Sequence, residues 1–170
     1  MGITARFIPR KEALAELEKE FPDFRPYYIE ALQALCVLTA DLDKAIDGYF
    51  TNQCKFSRAR YLILVVLLHS ADHRATPNEI AKKLNVTRGN MTGLIDGLLS
   101  DGFVTKKTDK EDRRKVWIEV TPKAKARLKE ILPNYFSRMA KFMSVLKREE
   151  IETFIKLAKK FQTNLGAFSD

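Results

Sequence analysis

The most constraining feature of the sequence is a pair of short helical segments joined by a tight turn near its centre. Thr76 and Glu79 form a capping box, and the proline between them suits the first helical position. The helix that they open is short, because Asn85 tolerates the left-handed conformation that ends a helix. Thr87 then caps a second helix, which stops at Asp101-Gly102. Two short helices in this arrangement predict a helix-turn-helix.

The segment that follows has the composition of a two-stranded β-ribbon. Residues 103–108 and 115–120 are rich in β-forming side chains, and the second stretch alternates apolar and polar residues. The polar residues 109–114 between them suit the tip of a hairpin. A ribbon directly after a helix-turn-helix is a wing. The sequence therefore predicts a mainly α fold with a small β-wing, that is, a winged helix-turn-helix domain with additional helices at both ends.

Long amphipathic segments flank this centre. Residues 26–49 and 122–146 carry apolar side chains three and four positions apart, and a last helix is predicted over residues 148–165. Together they hold more apolar surface than a small winged-helix core can cover. A partner subunit can cover it, and a two-fold dimer would place two recognition helices about 34 Å apart along DNA. We expect a homodimer on an inverted-repeat operator; a larger self-contained helical core is the alternative.

These segments divide the chain into three parts. Residues 1–56 are expected to form an N-terminal extension, with a helix-prone arm, and a dimerisation helix. Residues 57–121 form the DNA-binding lobe, whose first helix, over residues 58–70, is apolar nearly all round and should run through its middle. Residues 122–170 supply C-terminal dimerisation helices, and Pro133 should kink the first of them.

Composition points to a polyanionic partner and away from several other classes of protein. The net charge is +8 and the pI about 9.5, and the basic excess lies after residue 73. Two cysteines without a CxxC motif are too few for a secreted disulfide scaffold. The N-terminus lacks the apolar stretch of a signal peptide. The apolar run over residues 61–68 is far shorter than the roughly 20 residues that span a bilayer. We expect a cytoplasmic protein without a membrane partner.

Candidate base-contacting residues lie in the first turns of the second helix of the motif. Arg88 has the donors to bind guanine bidentately, and Asn90 can pair with adenine. Thr92 can contact a thymine methyl group or a phosphate. Thr87 is also a candidate DNA contact, although its hydroxyl can instead be committed to capping the helix. Met91 is expected to begin the apolar stripe rather than to contact DNA.

The wing tip supplies a second set of candidates. Arg113 and Arg114 are adjacent there, and arginine is attracted to the negative potential of a narrow minor groove. Asp112 can hold one guanidinium in a fixed pose through an ion pair. Lys106, on the first strand of the ribbon, is a further candidate DNA contact. A solvated charged turn is the alternative, and residue types alone do not decide between the two.

In this order of elements the sequence resembles the MarR family of bacterial transcriptional regulators, over roughly residues 26–167. The most specific similarity is in residues 109–114, which are similar to the Asp-x-Arg wing signature of that family, followed by a strand and a threonine that opens the next helix. Residues 87–104 are similar to its recognition helix and to the turn into the wing. The resemblance implies that Arg114 enters the minor groove and that Asp112 orients it.

The resemblance further implies that Arg113 serves a phosphate or a neighbouring carboxylate. It also implies regulation, since members of the family are usually repressors released by a small aromatic or anionic effector bound between the dimer helices and the DNA-binding lobe. Such a ligand acts only by favouring one spacing of the recognition helices. The candidate pocket residues lie in or near the first helix of the lobe and the end of the preceding helix: Tyr49, Phe50, Arg60 and His69.

Three other functional classes are open to test. In a thiol redox switch, Cys54 in a loop beside Lys55 would react, whereas Cys36 is expected to be a small buried hydrophobe. A metal sensor would use His69 and His73, but two histidines are fewer than the three or four ligands of a usual site. A winged helix that only binds protein is the third. No arrangement of nucleophile and base and no phosphate-binding loop indicates an enzyme, and no cofactor is expected.

The sequence departs from this resemblance in its recognition helix and at its N-terminus. Gly89, Gly93 and Gly97 recur every four residues, and each should cost about 1 kcal/mol of helix stability relative to alanine. Either another backbone approaches closely there, or DNA partly orders the helix. The extension before Pro26 is longer than the minimum of the family and can add dimer contacts.

Overall fold

The computed structural model describes residues 10–109 and 111–168, with every side chain in those ranges except Lys11 and Arg88. The chain is built mainly of helices around one small sheet. The helices and strands have the following bounds: α1 Lys11–Glu20, α2 Pro26–Gly48, α3 Arg58–Leu68, β1 Arg74–Ala75, α4 Pro77–Leu84, α5 Arg88–Ser100, β2 Val104–Thr108, β3 Val116–Val120, α6 Pro122–Met143 and α7 Arg148–Thr163. A π-helical turn, Tyr49–Gln53, extends α2, and a 3-10 turn, Leu165–Phe168, follows α7.

The winged helix-turn-helix fold is confirmed, and the local signals in the sequence explain its central helices. The Thr76 hydroxyl accepts the backbone N–H of Glu79 at 3.3 Å, and the Glu79 carboxylate accepts the backbone N–H of Thr76 at 2.7 Å. Asn85 ends α4 in the left-handed conformation, with φ 51°. Thr121 accepts the backbone N–H of Ala124 and so caps α6. The helix continues through Pro133 to Met143.

The sheet has three antiparallel strands in the order β1-β3-β2, one more than the sequence predicts. In the ribbon, Lys106 lies opposite Ile118 and Thr108 lies opposite Val116. The additional strand, β1, pairs Arg74 with Glu119. A two-residue strand is too short to show an alternating pattern, so its pairing depends on β3 and is invisible in the local sequence.

The core lies between the π-helical turn and the first half of α6. Phe50 of the π-helical turn, Leu64 and Leu67 of α3, and Met91 of α5 are fully buried. Ala124, Leu128 and Ile131 of α6 complete the core. The first half of α6 thereby joins the lobe, and its second half extends beyond it.

The helices at the two ends of the chain leave their apolar stripes exposed. No residue of α2 or α7 is buried. The exposed large apolar side chains of these helices and of the second half of α6 are Tyr27, Tyr28, Leu32, Leu35, Leu38, Phe136, Met139, Phe142, Phe154, Ile155, Leu157 and Phe161. None of the helices in the described ranges combines the length and the hydrophobicity needed to cross a membrane.

Candidate nucleic-acid interface

The recognition helix, α5, presents a polar face on one side and packs into the core with the other. Met91, Ile95 and Leu98 are buried on the inner side, so Met91 belongs to the core. Thr87 and Asn90 are exposed at the outer N-terminal end. Thr87 occupies the N-cap, but its hydroxyl makes no capping hydrogen bond, which leaves that hydroxyl uncommitted to the helix.

Two further predicted contacts lie in the same turns of α5. Thr92 is exposed, one turn after the N-terminal residues. The backbone of Arg88 begins the helix, while its side chain lies outside the described part of the structure. The structure thus brings the N-terminal turn of α5 to the surface, as the DNA-binding interpretation requires.

Asp109 organises the wing tip, and sequence reasoning did not single it out. Its Oδ2 accepts the indole N–H of Trp117 at 2.7 Å, and its Oδ1 accepts the backbone N–H groups of Glu111 and Asp112 at 2.9 and 3.0 Å. The indole donor, followed by the two backbone donors, lowers the pKa of Asp109 to about 2. The available signal for this Asx-type turn was an aspartate directly after a predicted strand and before a polar turn.

The wing is expected to loosen when Asp109 is protonated. Because its folded-state pKa is lowered, its contribution to wing stability is complete above about pH 4 and is lost as the pH falls through about 2. Trp117 is the single tryptophan of the sequence, so its fluorescence reports this transition directly. Asp109→Asn has no carboxyl proton to gain and should lose the acid transition. A transition that persists unchanged in this variant would contradict the role of Asp109.

Asp112 and Arg114 meet at the tip as the sequence predicts, with a looser geometry than a bidentate pair. Oδ1 of Asp112 accepts the backbone N–H of Arg114 at 3.0 Å and lies 3.4 Å from its Nε. The Arg114 side chain is 94% exposed, so its guanidinium projects from an ordered turn. Arg113 and Lys106 are also exposed on the wing.

The base of the wing carries further cations that the sequence reasoning did not assign to the site. The guanidinium of Arg74 and the ammonium of Lys115 lie 4.6 and 4.2 Å from the centre of the Trp117 ring. A groove of about 420 Å³ separates the start of α4 from the wing, and Lys106, Lys115 and Arg114 line it together with the single carboxylate of Asp112. This groove has the charge to hold a phosphate oxygen.

The four candidate effector residues do not line one common cavity. Tyr49 borders an apolar cavity of about 370 Å³ between α2 and α6. Phe50 is fully buried beneath it, and Arg60 borders a separate cavity of about 470 Å³. His69 lies just after α3, where its ring Nδ1 is 2.9 Å from the Val65 carbonyl oxygen. Because α3 ends at Leu68, His69 and His73 do not share a helix face.

The expectation that Cys36 is a small buried hydrophobe is wrong. Cys36 is exposed on α2, because the apolar stripe of that helix has no cover within the chain. Cys54 lies in the bend that follows the π-helical turn, as the sequence predicts, but its side chain is buried there. Its backbone carbonyl accepts a hydrogen bond from the Arg127 guanidinium. The cysteine that a thiol redox switch would use is therefore protected from solvent.

Oxidation of the cysteines is expected to have no effect on DNA binding. The 6% exposure of Cys54 restricts access to its sulfur, and Cys36 belongs to α2, which is part of neither the helix-turn-helix nor the wing. A Cys36→Ser, Cys54→Ala double variant should bind DNA with the affinity of the parent, before and after peroxide treatment. Release of the parent from DNA by peroxide, together with resistance of the double variant, would instead establish a thiol switch.

Comparisons with known proteins agree with this geometry. The MarR family model matches residues 56–116, which span α3 to the start of β3. The HTH-type transcriptional repressor YetL of Bacillus subtilis is 32% identical over 165 residues, covering 97% of this chain and 98% of that protein. The transcriptional repressor MprA of Escherichia coli is 24% identical over 164 residues, covering 94% and 90%.

A solved structure extends the agreement to the whole fold. Sco3205, a MarR family transcriptional regulator from Streptomyces coelicolor solved in complex with DNA, superposes with a TM-score of 0.69 at 19% identity, and 94% of each chain is covered. That likeness includes the helices that flank the lobe. Since a repressor 32% identical aligns with nearly the full length, and the family model matches the helix-turn-helix and wing, the chain belongs to the MarR family of transcriptional regulators.

Proposed function

We propose that this chain is a homodimeric repressor that binds an inverted-repeat operator and is released from it by a small aromatic or anionic effector. The observation that carries the proposal is the exposure of polar side chains at the N-terminal end of α5, together with an exposed arginine on the ordered wing tip. A protein of this kind acts on the chromosome, so the proposal assigns it to the cytoplasm.

The proposed DNA contacts are of two kinds, namely contacts to base edges in the major groove and contacts to the minor groove and the phosphates. Arg88, Asn90 and Thr92 read base edges in the major groove from the first turns of α5. Arg114 enters the minor groove, and Arg113 and Lys106 neutralise phosphates. The complex of Sco3205 with DNA supports DNA binding by this chain, because that protein has the same fold.

The homodimer follows from the uncovered stripes of α2, α7 and the second half of α6. A helix whose exposed face is apolar gains stability when a partner removes that face from water, at about 25 cal/mol per Å². Closed two-fold symmetry lets the same stripes cover each other in both protomers. The dimer then presents two α5 helices to successive major grooves on one side of the duplex.

The apolar cavity between α2 and α6 is the site that best suits an effector. Arg138 lies at the edge of this cavity, with its guanidinium 5.1 Å from the centre of the Tyr49 ring. This guanidinium can pair with an anionic group of a ligand. Burial, with a hydrogen bond to Cys54, raises the pKa of Tyr49 to about 12, so its hydroxyl stays protonated even in alkaline solution. A ligand here touches both the proposed dimer helix and the helix leading from the wing.

The proposal is tested by measuring binding to duplex DNA from upstream of the gene for this chain. Fluorescence anisotropy should show affinity at least about a thousandfold higher for that duplex than for a scrambled one at physiological salt. Equal affinity for both duplexes would leave only non-specific charge attraction and would overturn operator recognition. Absence of binding to either duplex would favour a winged helix that binds protein.

A further inference from the structure

Gly97, on the recognition helix, occupies a position where a side chain from another helix fills the space of the missing Cβ. A Cβ at this position would lie 2.7 Å from Cζ and 3.0 Å from Nε of Arg60. These separations are too short for carbon and guanidinium atoms that are not bonded. At Gly89 and Gly93, by contrast, an added Cβ would meet nothing within 4 Å. Gly97 is therefore explained by the close approach of Arg60, while the other two glycines are not.

The same guanidinium holds the end of the recognition helix. Nη1 of Arg60, on α3, donates to Oδ2 of Asp101 at 2.6 Å, and Asp101 is the C-cap of α5. A cation at this end also interacts favourably with the negative end of the helix dipole. The Lys123 ammonium, on α6, donates to the Asp101 carbonyl oxygen at 2.7 Å. The C-terminal end of α5 is thus connected to α3 and to α6.

We propose that Arg60 is a positioning residue for DNA reading, and this inference rests on the proposed function. The contact of its guanidinium with Gly97 and its ion pair with Asp101 fix the tilt of α5 relative to α3. The buried side chains Met91 and Ile95 anchor the inner face of α5, and the ion pair adds a directional contact at its C-terminal end. A change of tilt at the C-terminal end moves the N-terminal turn relative to the base edges.

The ion pair is placed to act on geometry more than on folding. The side chains of Arg60 and Asp101 are 31% and 43% exposed, and ion pairs with this exposure add little to the stability of a fold. The guanidinium is the far end of a flexible side chain, so an added methyl group at Gly97 can displace it without moving the backbone. Alanine also raises helix propensity, which offsets the lost ion pair.

Gly97→Ala is the sharpest test. We expect it to weaken operator binding about fivefold, which corresponds to the partial loss of one base contact when the N-terminal turn is displaced. Its melting temperature and dimer mass should match those of the parent. Gly48→Ala is the matched control, because a Cβ there makes only an ordinary 3.9 Å contact with Asn52. It makes the same exchange in another helix and should leave operator affinity unchanged.

Two further variants separate positioning from general damage. Arg60→Met should weaken binding as much as Gly97→Ala, and the double variant should be no weaker than either single variant, because both remove one connection. Arg60→Lys in the Gly97→Ala background should recover part of the affinity, since a slender ammonium can reach Asp101 without covering residue 97. Additive losses, or no recovery with lysine, would overturn the proposal.

The failure of this inference is distinguishable from failure of the proposed function. If Gly97→Ala and Arg60→Met bind operator like the parent while Arg114→Ala binds more weakly, operator recognition stands and the positioning role is wrong. If a loss of affinity is accompanied by a matching loss of thermal stability, the role of Arg60 is structural and the proposal is also wrong. If the parent itself shows no preference for operator, the proposed function fails first.

Discussion

Arg114→Ala is expected to weaken binding to operator and to non-specific DNA by on the order of tenfold or more, because each protomer loses a charge-assisted contact. Loss of a DNA-neutralising cation should also reduce the slope of log K against log salt by about one per site. The side chain is 94% exposed, so the fold should be unaffected. Binding measured by anisotropy over a series of salt concentrations gives both quantities.

Three further variants are compared with Arg114→Ala. Lys19→Ala removes one cation from α1, outside the helix-turn-helix and the wing, and should leave the slope unchanged. Asp112→Ala should be milder than Arg114→Ala, because it removes the orienting carboxylate and leaves the guanidinium. Arg88→Ala should cost about 1–3 kcal/mol at one base pair and relax specificity there. If Arg114→Ala, Asp112→Ala and Arg88→Ala all bind DNA like the parent, the wing and helix assignments are wrong.

A double substitution on α7, Phe154→Asp with Phe161→Asp, is expected to abolish the dimer and most operator binding. Both rings are about half exposed in the single chain, so the carboxylates enter water at little expense to the monomer. In a two-fold dimer the same change places four carboxylates against apolar surface. Affinity for the inverted repeat should fall by on the order of a hundredfold, because binding to the second half-site is no longer intramolecular.

Sedimentation checks the oligomeric state alongside affinity. The parent should have a mass of about 39 kDa at micromolar concentration, twice the 19.5 kDa of one chain, and the double variant should sediment near the single-chain mass. Thr153→Asp is the control, because it adds a carboxylate to the polar side of the same helix. It should remain dimeric. A monomeric parent, or a dimeric double variant with full operator affinity, would exclude α7 from the interface.

Local chemistry explains which parts of the fold could be predicted from the sequence. The capping box at Thr76 and Glu79 and the left-handed Asn85 act within one turn of their own helix, so residue types and spacing were sufficient. β1 exists only because β3 supplies its hydrogen-bond partners. The predicted end of α3, at residue 70, was two residues too late. The helix ends at Leu68, and neither His69 nor Ser70 is a residue type that marks a helix end in the sequence.

The candidate site divides in the same way. Asp112 and Arg114 lie two residues apart, and their contact could be expected from sequence alone. Arg60 and Asp101 are 41 positions apart, so no local pattern connects them. The glycine spacing in α5 pointed to a close approach, but only the packed structure identifies Arg60 as the group that fills the space at Gly97.

Selection of bound fragments from sheared genomic DNA tests the central claim most directly. The protein is incubated with the fragments at physiological salt, and the retained DNA is sequenced. Two recognition helices related by a two-fold axis should enrich an inverted repeat whose half-site centres are about 10 base pairs apart. Retained fragments that share no motif, or a motif without two-fold symmetry, would contradict a dimeric operator-binding regulator.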